Sequence, residues 1–320
     1  MSLSRREFVR TLFVATAQVA LTGPLLSRGL FAASSPTSPE GLNFLVFGDW
    51  GRKGQKDQLD VARQMGIAAD QIGARFIVSV GDNFYDYGVS SVDDPQFKTS
   101  FEQVYTAPSL QVPWQVILGN HDYRGNCQAQ LDYAKVNTRW NMPDRFFVRN
   151  EQIPGGVPAD LIYIDTNPFI HSYAKDLRMG AQIRSQDSAK QLGWIEEQLA
   201  KSTAPWKIVI GHHPIYSGGE HGDTPELIEH LLPLLEKYKV QAYFAGHDHD
   251  LQHLQAGGVN LFGSGAGSTV RPTKMIEQSK YSKSQPGFMA VSLKPELMEI
   301  RMIDGSGQMI YQTSVTQKLS

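Results

Sequence analysis

Cysteine is almost missing from this chain: Cys127 stands alone among 320 residues, so no intrachain disulfide can form. Charge of a dominant sign is missing too, with 32 acidic against 30 basic residues and a formal net charge of -2. A general nucleic-acid binder carries a basic patch or stripe, and this balance argues against one. No apolar stretch has the length and purity of a membrane span, which needs about 20 residues. Internal repeats and low-complexity blocks are absent past the N-terminal tail. The length suffices for a sizeable core, and residues 42–320 read as one domain.

What is present begins at the N-terminus. "SRREFVR" at 4–10 leads into "TLFVATAQVALTGPLL" and then "SRGLFAASSPTSPE". A charged region, a moderately apolar region and a small-residue tail come in the order of an export signal. Paired Arg5 and Arg6, with Ser4 before and Phe8 after, resemble the twin-arginine signal, whose machinery exports folded proteins. Residues 1–34 are therefore expected to be an export signal cut near Ala32 to Ser35, and 35–41 a short linker. The expected location is periplasmic or secreted.

From Leu42 on, one theme recurs: a short β-branched or aromatic run, a glycine, then polar residues. The runs are "LNFLVFGD", "ARFIVSVGD", "PWQVILGNHD", "LIYIDT", "WKIVIGHH" and "VQAYFAGHDH". Continuous apolar runs of this length fit strands buried on both faces of a sheet. Helical spacing occupies 187–202, with Leu192, Ile195 and Leu199 on one face. It recurs over 224–238, with Thr224 as cap, Pro225 in the first turn, and Leu227, Leu231, Leu234 and Leu235 on one face. Short strands are expected near 258–263, 287–293, 297–303 and 308–315. The alternation predicts an α/β layered fold.

Five strand ends carry the polar chemistry: Asp49; Asp82 with Tyr85; Asn120, His121 and Asp122; His212 and His213; His247 with His249. His221 lies just downstream of the fourth. Ligand sites of open α/β sheets gather at the carboxyl ends of strands, so these clusters are expected to converge. A core cannot absorb so many carboxylates and imidazoles without compensation. Bound metal ions neutralise such a set of O and N donors. Cys127 is expected to be a small buried hydrophobe without chemistry. His171, His230 and His253 lie outside the motifs and read as surface or helix-face residues.

In order, "GDW", "GDNFY", "GNHD", "GHHP" and "GHDH" resemble the five blocks of the calcineurin-like metallophosphoesterases, and more closely the purple acid phosphatases of the small, tartrate-resistant type. The match runs from about residue 42 to 267. The resemblance implies a layered fold of central β-sheets packed as a sandwich and flanked by helices, with the metal site at the strand ends. It implies that Asp49, Asp82, Tyr85 and His249 hold an Fe(III). It implies that Asp82, Asn120, His212 and His247 hold a second ion, Fe(II), Zn(II) or Mn(II), with Asp82 bridging. Wider relatives carry Asp-x-His in the first block; here that histidine position is Gly51, and Tyr85 is expected to replace the ligand. Two close ions clamp an in-line phosphoryl displacement and ionise a bound water near neutrality. His121 and His221 match the family's non-ligand histidines beside the metals, which donate a proton to the leaving group or hydrogen-bond the phosphoryl oxygens. Asp122 is expected to keep the His121 imidazole oriented and charged. Asp248 and Asp250 read as solvated or capping carboxylates, and His213 stays unassigned. Neither the N-terminal sandwich domain of larger members nor the disulfide and clipped loop of animal members is expected.

The implied function is an exported acid phosphatase acting on small phosphate monoesters. Two rivals stay open. One is a phosphodiesterase or nucleotide hydrolase with manganese or other divalent ions at both positions. The other is a phosphate- or metal-binding protein without turnover.

Overall fold

Strand β1 (Leu42–Phe47) divides its side chains between two cores. Leu42, Phe44 and Val46 enter one cluster of buried apolar residues, and Leu45 and Phe47 the other. Strand β2 (Phe76–Ser79) does the same, with Phe76 and Val78 on one side and Ile77 on the other. Both faces are covered, which is why these runs are apolar throughout rather than alternating. The computed structural model describes residues 41–317. The expected export signal at 1–34, and the linker up to its last residue, lie outside them.

Strands β1 and β2 continue in parallel through β3 (Trp114–Val116) to the two-residue β4 (Trp140–Asn141). A second group opens with the hairpin β5 (Phe147–Ile153) and β6 (Val157–Tyr163). Strands β7 (Trp206–Ile210) and β8 (Ala242–Ala245) join β6 in parallel. Antiparallel additions close this sheet: β9 (Leu251–Ala256) lies between β10 (Val259–Ser264) and β11 (Ser279–Lys283), and β10 also pairs in parallel with β8. The chain then returns to the first sheet with the meander β12 (Gly287–Leu293), β13 (Leu297–Asp304) and β14 (Met309–Thr316). The two orders are β14-β13-β12-β1-β2-β3-β4 and β11-β9-β10-β8-β7-β6-β5.

The sheets pack face to face through Phe44, Val46, Val78 and Ile117 on one side and Leu161, Ile208, Ile210 and Phe244 on the other. Helices cover the outer faces. On the first sheet α1 (Gln58–Ile72) lays down Val61, Ala62 and Met65, α2 (Cys127–Tyr133) adds Cys127 and Ala129, and α3 (Gly180–Arg184) adds Ile183. On the second, α4 (Ser188–Lys201) buries Ile195 and Leu199, each worth about 1.5–3 kcal/mol of apolar transfer. Asp187 caps α4 by accepting from Lys190 N at 2.9 Å. The expected α/β layered sandwich flanked by helices is the observed one.

One element differs from its expectation. The helix read over 224–238 is two short helices, α5 (Pro225–His230) and α6 (Leu232–Lys237). Pro233 has no N–H, and its ring clashes with the carbonyl four residues back, so α5 cannot run through it. Thr224 makes no side-chain cap; Pro225 starts the first turn alone. His253 also departs from its expectation. It lies on β9, 5% exposed, between Tyr311 Oη at 2.9 Å and Asn260 Oδ1 at 3.2 Å.

Candidate metal centre

The parallel strands of both sheets end at one place. Asp49 follows β1, Asp82 follows β2, Asn120 follows β3, His212 follows β7 and His247 follows β8. Three of these sit at left-handed backbone angles, with φ of 61° at Asp49, 50° at Asp82 and 70° at His247. A non-glycine residue there costs about 1–2 kcal/mol, a cost kept where the direction of a side chain matters. The apolar layer below is anchored to these turns. Trp50 donates from Nε1 to Ser79 Oγ at 2.8 Å, and Ser79 donates to Asn83 Oδ1 at 2.6 Å, tying the first two loops together.

Seven side chains converge in two groups. In one, the Tyr85 hydroxyl is 3.0 Å from Asp49 Oδ1, 3.0 Å from Asp82 Oδ2 and 3.0 Å from His249 Nε2. In the other, Asn120 Oδ1 is 3.1 Å from His212 Nε2 and 3.0 Å from His247 Nδ1. Asp82 reaches both, because its Oδ1 is 3.6 Å from His212 Nε2. Outer partners fix which nitrogen points inward. His212 gives its Nδ1–H to the Val80 carbonyl at 2.9 Å, so Nε2 faces Asn120 with its lone pair. His249 places Nδ1 2.7 Å from Thr269 Oγ1 and Nε2 towards Asp49 and Tyr85. Nothing in the sequence singled out Thr269; only the fold brings it there.

Burial shapes the charge state. It pushes the Asp49 carboxyl well above its ordinary range, against the pull of His212. Asp82 is equally buried, yet His212, His121 and the His121 N–H hold it below the usual carboxylate value. Burial, and then the charge of Asp49 and Asp82, raise the Tyr85 phenol well above 10. Two carboxyls and a phenol around one point, with imidazoles and an amide beside them, form a donor set that wants cations. Carboxylate and phenolate oxygens suit a hard ion; imidazoles and an amide suit a divalent first-row ion. Gly51 fits the same picture. A Cβ there would overlap the Asn83 carbonyl oxygen, so residue 51 presents no side chain here, and the Tyr85 hydroxyl lies beside Asp49.

His121 and His221 stand at the rim. The His121 ring centroid is 4.3 Å from that of Tyr85, and its Nε2 is 4.0 Å from Asp82 Oδ2. His221 stacks on His247 at 4.2 Å and 26°. Each is touched by an arginine: Arg124 Nη1 is 3.1 Å from His121 Nδ1, and Arg271 Nη1 contacts His221 Nε2. Burial lowers both imidazoles, and the two arginines lower them further.

Asp122 is placed differently from its expectation. It makes no bond to His121, whose Nδ1 instead meets the Asp86 carbonyl at 2.8 Å. The Asp122 carboxylate is fully buried and accepts from Asn83 N at 3.1 Å, Phe84 N at 3.2 Å, Gly119 N at 2.9 Å and Gln130 Nε2 at 2.8 Å. It therefore fixes the backbone beside Asp82 and Asn120, not an imidazole. Burial, with nearby Asp82, pushes its pKa up to about 7. Asp248 and Asp250 are not solvated either. Asp248, 2% exposed, accepts from Ser217 Oγ at 2.5 Å and from His221 N at 2.9 Å, so it shapes the loop carrying His221. Asp250, 1% exposed, accepts from Gln252 Nε2 with both carboxylate oxygens at 2.9 Å, and burial raises it to about 7.

The chain is similar to known proteins. Residues 42–251 match the calcineurin-like phosphoesterase family. Purple acid phosphatase 7 of Arabidopsis thaliana is 39% identical over 88% of this chain and 88% of its own. Tartrate-resistant acid phosphatase type 5 of Oryctolagus cuniculus is 36% identical over 87% of this chain and 91% of its own. Among solved structures, GAP50, the anchor in the inner membrane complex of Plasmodium, superposes with a TM-score of 0.77 at 28% identity, covering 87% of this chain and 89% of that one. The chain therefore belongs to the calcineurin-like phosphoesterases, within their purple and tartrate-resistant acid phosphatases.

Proposed function

We propose that this protein is an exported acid phosphatase that hydrolyses small phosphate monoesters at a centre of one Fe(III) and one divalent ion, Fe, Zn or Mn. The observation that carries the reading is the Tyr85 hydroxyl, 3.0 Å from carboxylate oxygens of both Asp49 and Asp82. Three acidic oxygens at that separation suit a highly charged cation once they are deprotonated. In this reading Asp49, Asp82, Tyr85 and His249 hold the trivalent ion, and Asp82, Asn120, His212 and His247 the divalent one.

When bound, such a pair supplies positive charge for the phosphoryl group and lowers the pKa of the attacking water. The chain's own residues do the rest. Val80 O and Thr269 Oγ1 orient the inward imidazoles. Asp122 keeps the loops after β2 and β3 in register. His121 beside Tyr85 and His221 against His247 hydrogen-bond the phosphoryl oxygens or give the leaving alkoxide its proton. Arg124 and Arg271 add positive charge where a dianionic ester approaches. None of the helices among the described residues is long and apolar enough to cross a membrane. Arg5 and Arg6 support export through the twin-arginine machinery.

A fold relative described as an anchor keeps the rival of a protein without turnover in view. Turnover of an aryl phosphate, abolished by Asp82→Asn, is the test. A purified, metal-loaded protein with no turnover would leave a binding protein.

A further inference from the structure

His213 follows His212 in the chain and is 2% exposed, yet the hydrolytic reading gives it no task. Its ring lies between two hydroxyls: Nδ1 is 2.8 Å from Thr166 Oγ1, and Nε2 is 3.0 Å from Tyr173 Oη. The direction of these bonds is set from the inner end. The backbone N–H groups of His212 and His213 both donate to Thr166 Oγ1, at 3.3 and 3.1 Å. With two donors on that oxygen, Thr166 gives its own hydrogen to His213 Nδ1. The imidazole hydrogen is then on Nε2 and goes to the Tyr173 oxygen. The hydroxyl hydrogen of Tyr173 is left over, without an acceptor among the described residues.

Tyr173 opens on a cavity of about 350 Å³ that His213, His221 and His247 also line. His221 and His247 are rim and ligand positions of the metal centre, so the spare hydrogen faces the place a phosphoryl group would enter. We propose that Tyr173 is a substrate-contacting residue whose hydroxyl donates to a phosphoryl oxygen on the divalent-ion side, and that Thr166 and His213 are positioning residues that set its direction. The inference rests on the phosphate-ester reading of the same site. Burial, and then the Asp82 charge, keep the phenol well above its ordinary range, so it stays a donor.

A different use of His213 is visible in the same geometry. His212, His213 and His247 each offer a nitrogen within 4.8 Å of the others, a grouping that would suit an ion. Against it, His213 has no lone pair to spare: Nδ1 accepts from Thr166, and Nε2 carries the hydrogen given to Tyr173.

Tyr173→Phe removes the oxygen and keeps the ring. In the full chain carrying its metals, kcat/KM for an aryl phosphate is expected to fall about 10- to 100-fold, the value of one hydrogen bond to a charged group. The inhibition constant of inorganic phosphate should rise by a similar factor, with metal content unchanged. Thr166→Val should reproduce part of both losses, and Thr166→Ser, which keeps the hydroxyl, should restore them. Unchanged phosphate inhibition and turnover in Tyr173→Phe would overturn the inference. So would loss of an ion in His213→Phe, which would make His213 a ligand. A parent protein that neither turns over esters nor binds phosphate would instead sink the phosphatase reading, and this one with it.

Discussion

Arg145 and Asp165 face one another at 4.0 Å, with the Tyr123 hydroxyl donating to Asp165 at 2.5 Å and accepting from Arg145 at 2.8 Å. Next to Asp165, Asn167 gives its side-chain amide to the Leu118 carbonyl at 3.1 Å, two residues before Asn120. A buried charge network thus supports the loop that enters the metal site.

That network makes stability depend on pH in a definite direction. Burial raises the Asp165 pKa, and Arg145 and Tyr123 pull it back only in part. A carboxyl raised in the folded state holds its proton more tightly there, so folded stability falls as pH climbs from the unfolded value, about 3.9, through the folded one. Arg145→Met removes the compensating charge and raises the folded pKa further. The destabilisation should reach about 3–5 kcal/mol at pH 7.5. It should shrink at pH 4.5, where Asp165 is nearer its protonated state in both forms. Urea unfolding of both proteins at the two pH values measures this; a loss independent of pH would place the effect in packing alone.

His121 and His221 should matter for turnover more than for metal. Replacing either by Ala should lower kcat about 10- to 1000-fold with nearly full metal content. A proton-donor role predicts larger losses on alkyl than on aryl phosphates, because aryl leaving groups need less protonation. Equal losses on both would reduce the role to phosphate binding.

Asp122→Asn tests the loop-fixing role. Both Asp122 oxygens accept from N–H groups, so whichever becomes an amide NH2 meets a donor. A cost of about 1–3 kcal/mol follows. The melting temperature should drop by about 2–4 °C per kcal/mol, and the divalent ion should be held less tightly. An unchanged melting point with lost turnover would return Asp122 to the reaction itself.

The strands and the convergence of their ends were legible because two covered faces demand apolar residues at every position, and "LNFLVFGD" or "WKIVIGHH" can be little else. Much of the rest was hidden for physical reasons. The helical pattern at 224–238 outvoted one internal proline. Helix α1 escaped because Gln58, Ala62, Gly66, Ala68 and Ala69 share its buried side with only Val61 and Met65, and small or polar residues give a weak periodic signal. Asp122, adjacent to His121 in sequence, suggested a pair; the 3₁₀ turn at Asp122–Arg124 sends the two side chains apart. The Thr166–His213–Tyr173 series joins residues up to 47 positions apart, and no local pattern announces it.

Export should depend on the paired arginines. Replacing both Arg5 and Arg6 by Lys should leave the full-length protein in the cytoplasm. A site assembled from five separate strand ends exists only in the folded chain, so loading before export protects its selectivity. Normal export of the double variant would remove the twin-arginine assignment.

The central claim is that Tyr85 binds a trivalent iron as phenolate, and metal content read together with the visible spectrum of protein purified without added metal tests it most directly. One iron and one divalent ion per chain are expected, with a purple or pink charge-transfer band in the oxidised protein. A free phenol ionises only near pH 10, and burial raises this one further, so the band itself requires the cation. Tyr85→Phe should keep the fold, lose the colour and make the iron easier to reduce. A colourless yet fully active oxidised protein with manganese or zinc at both positions would contradict the account.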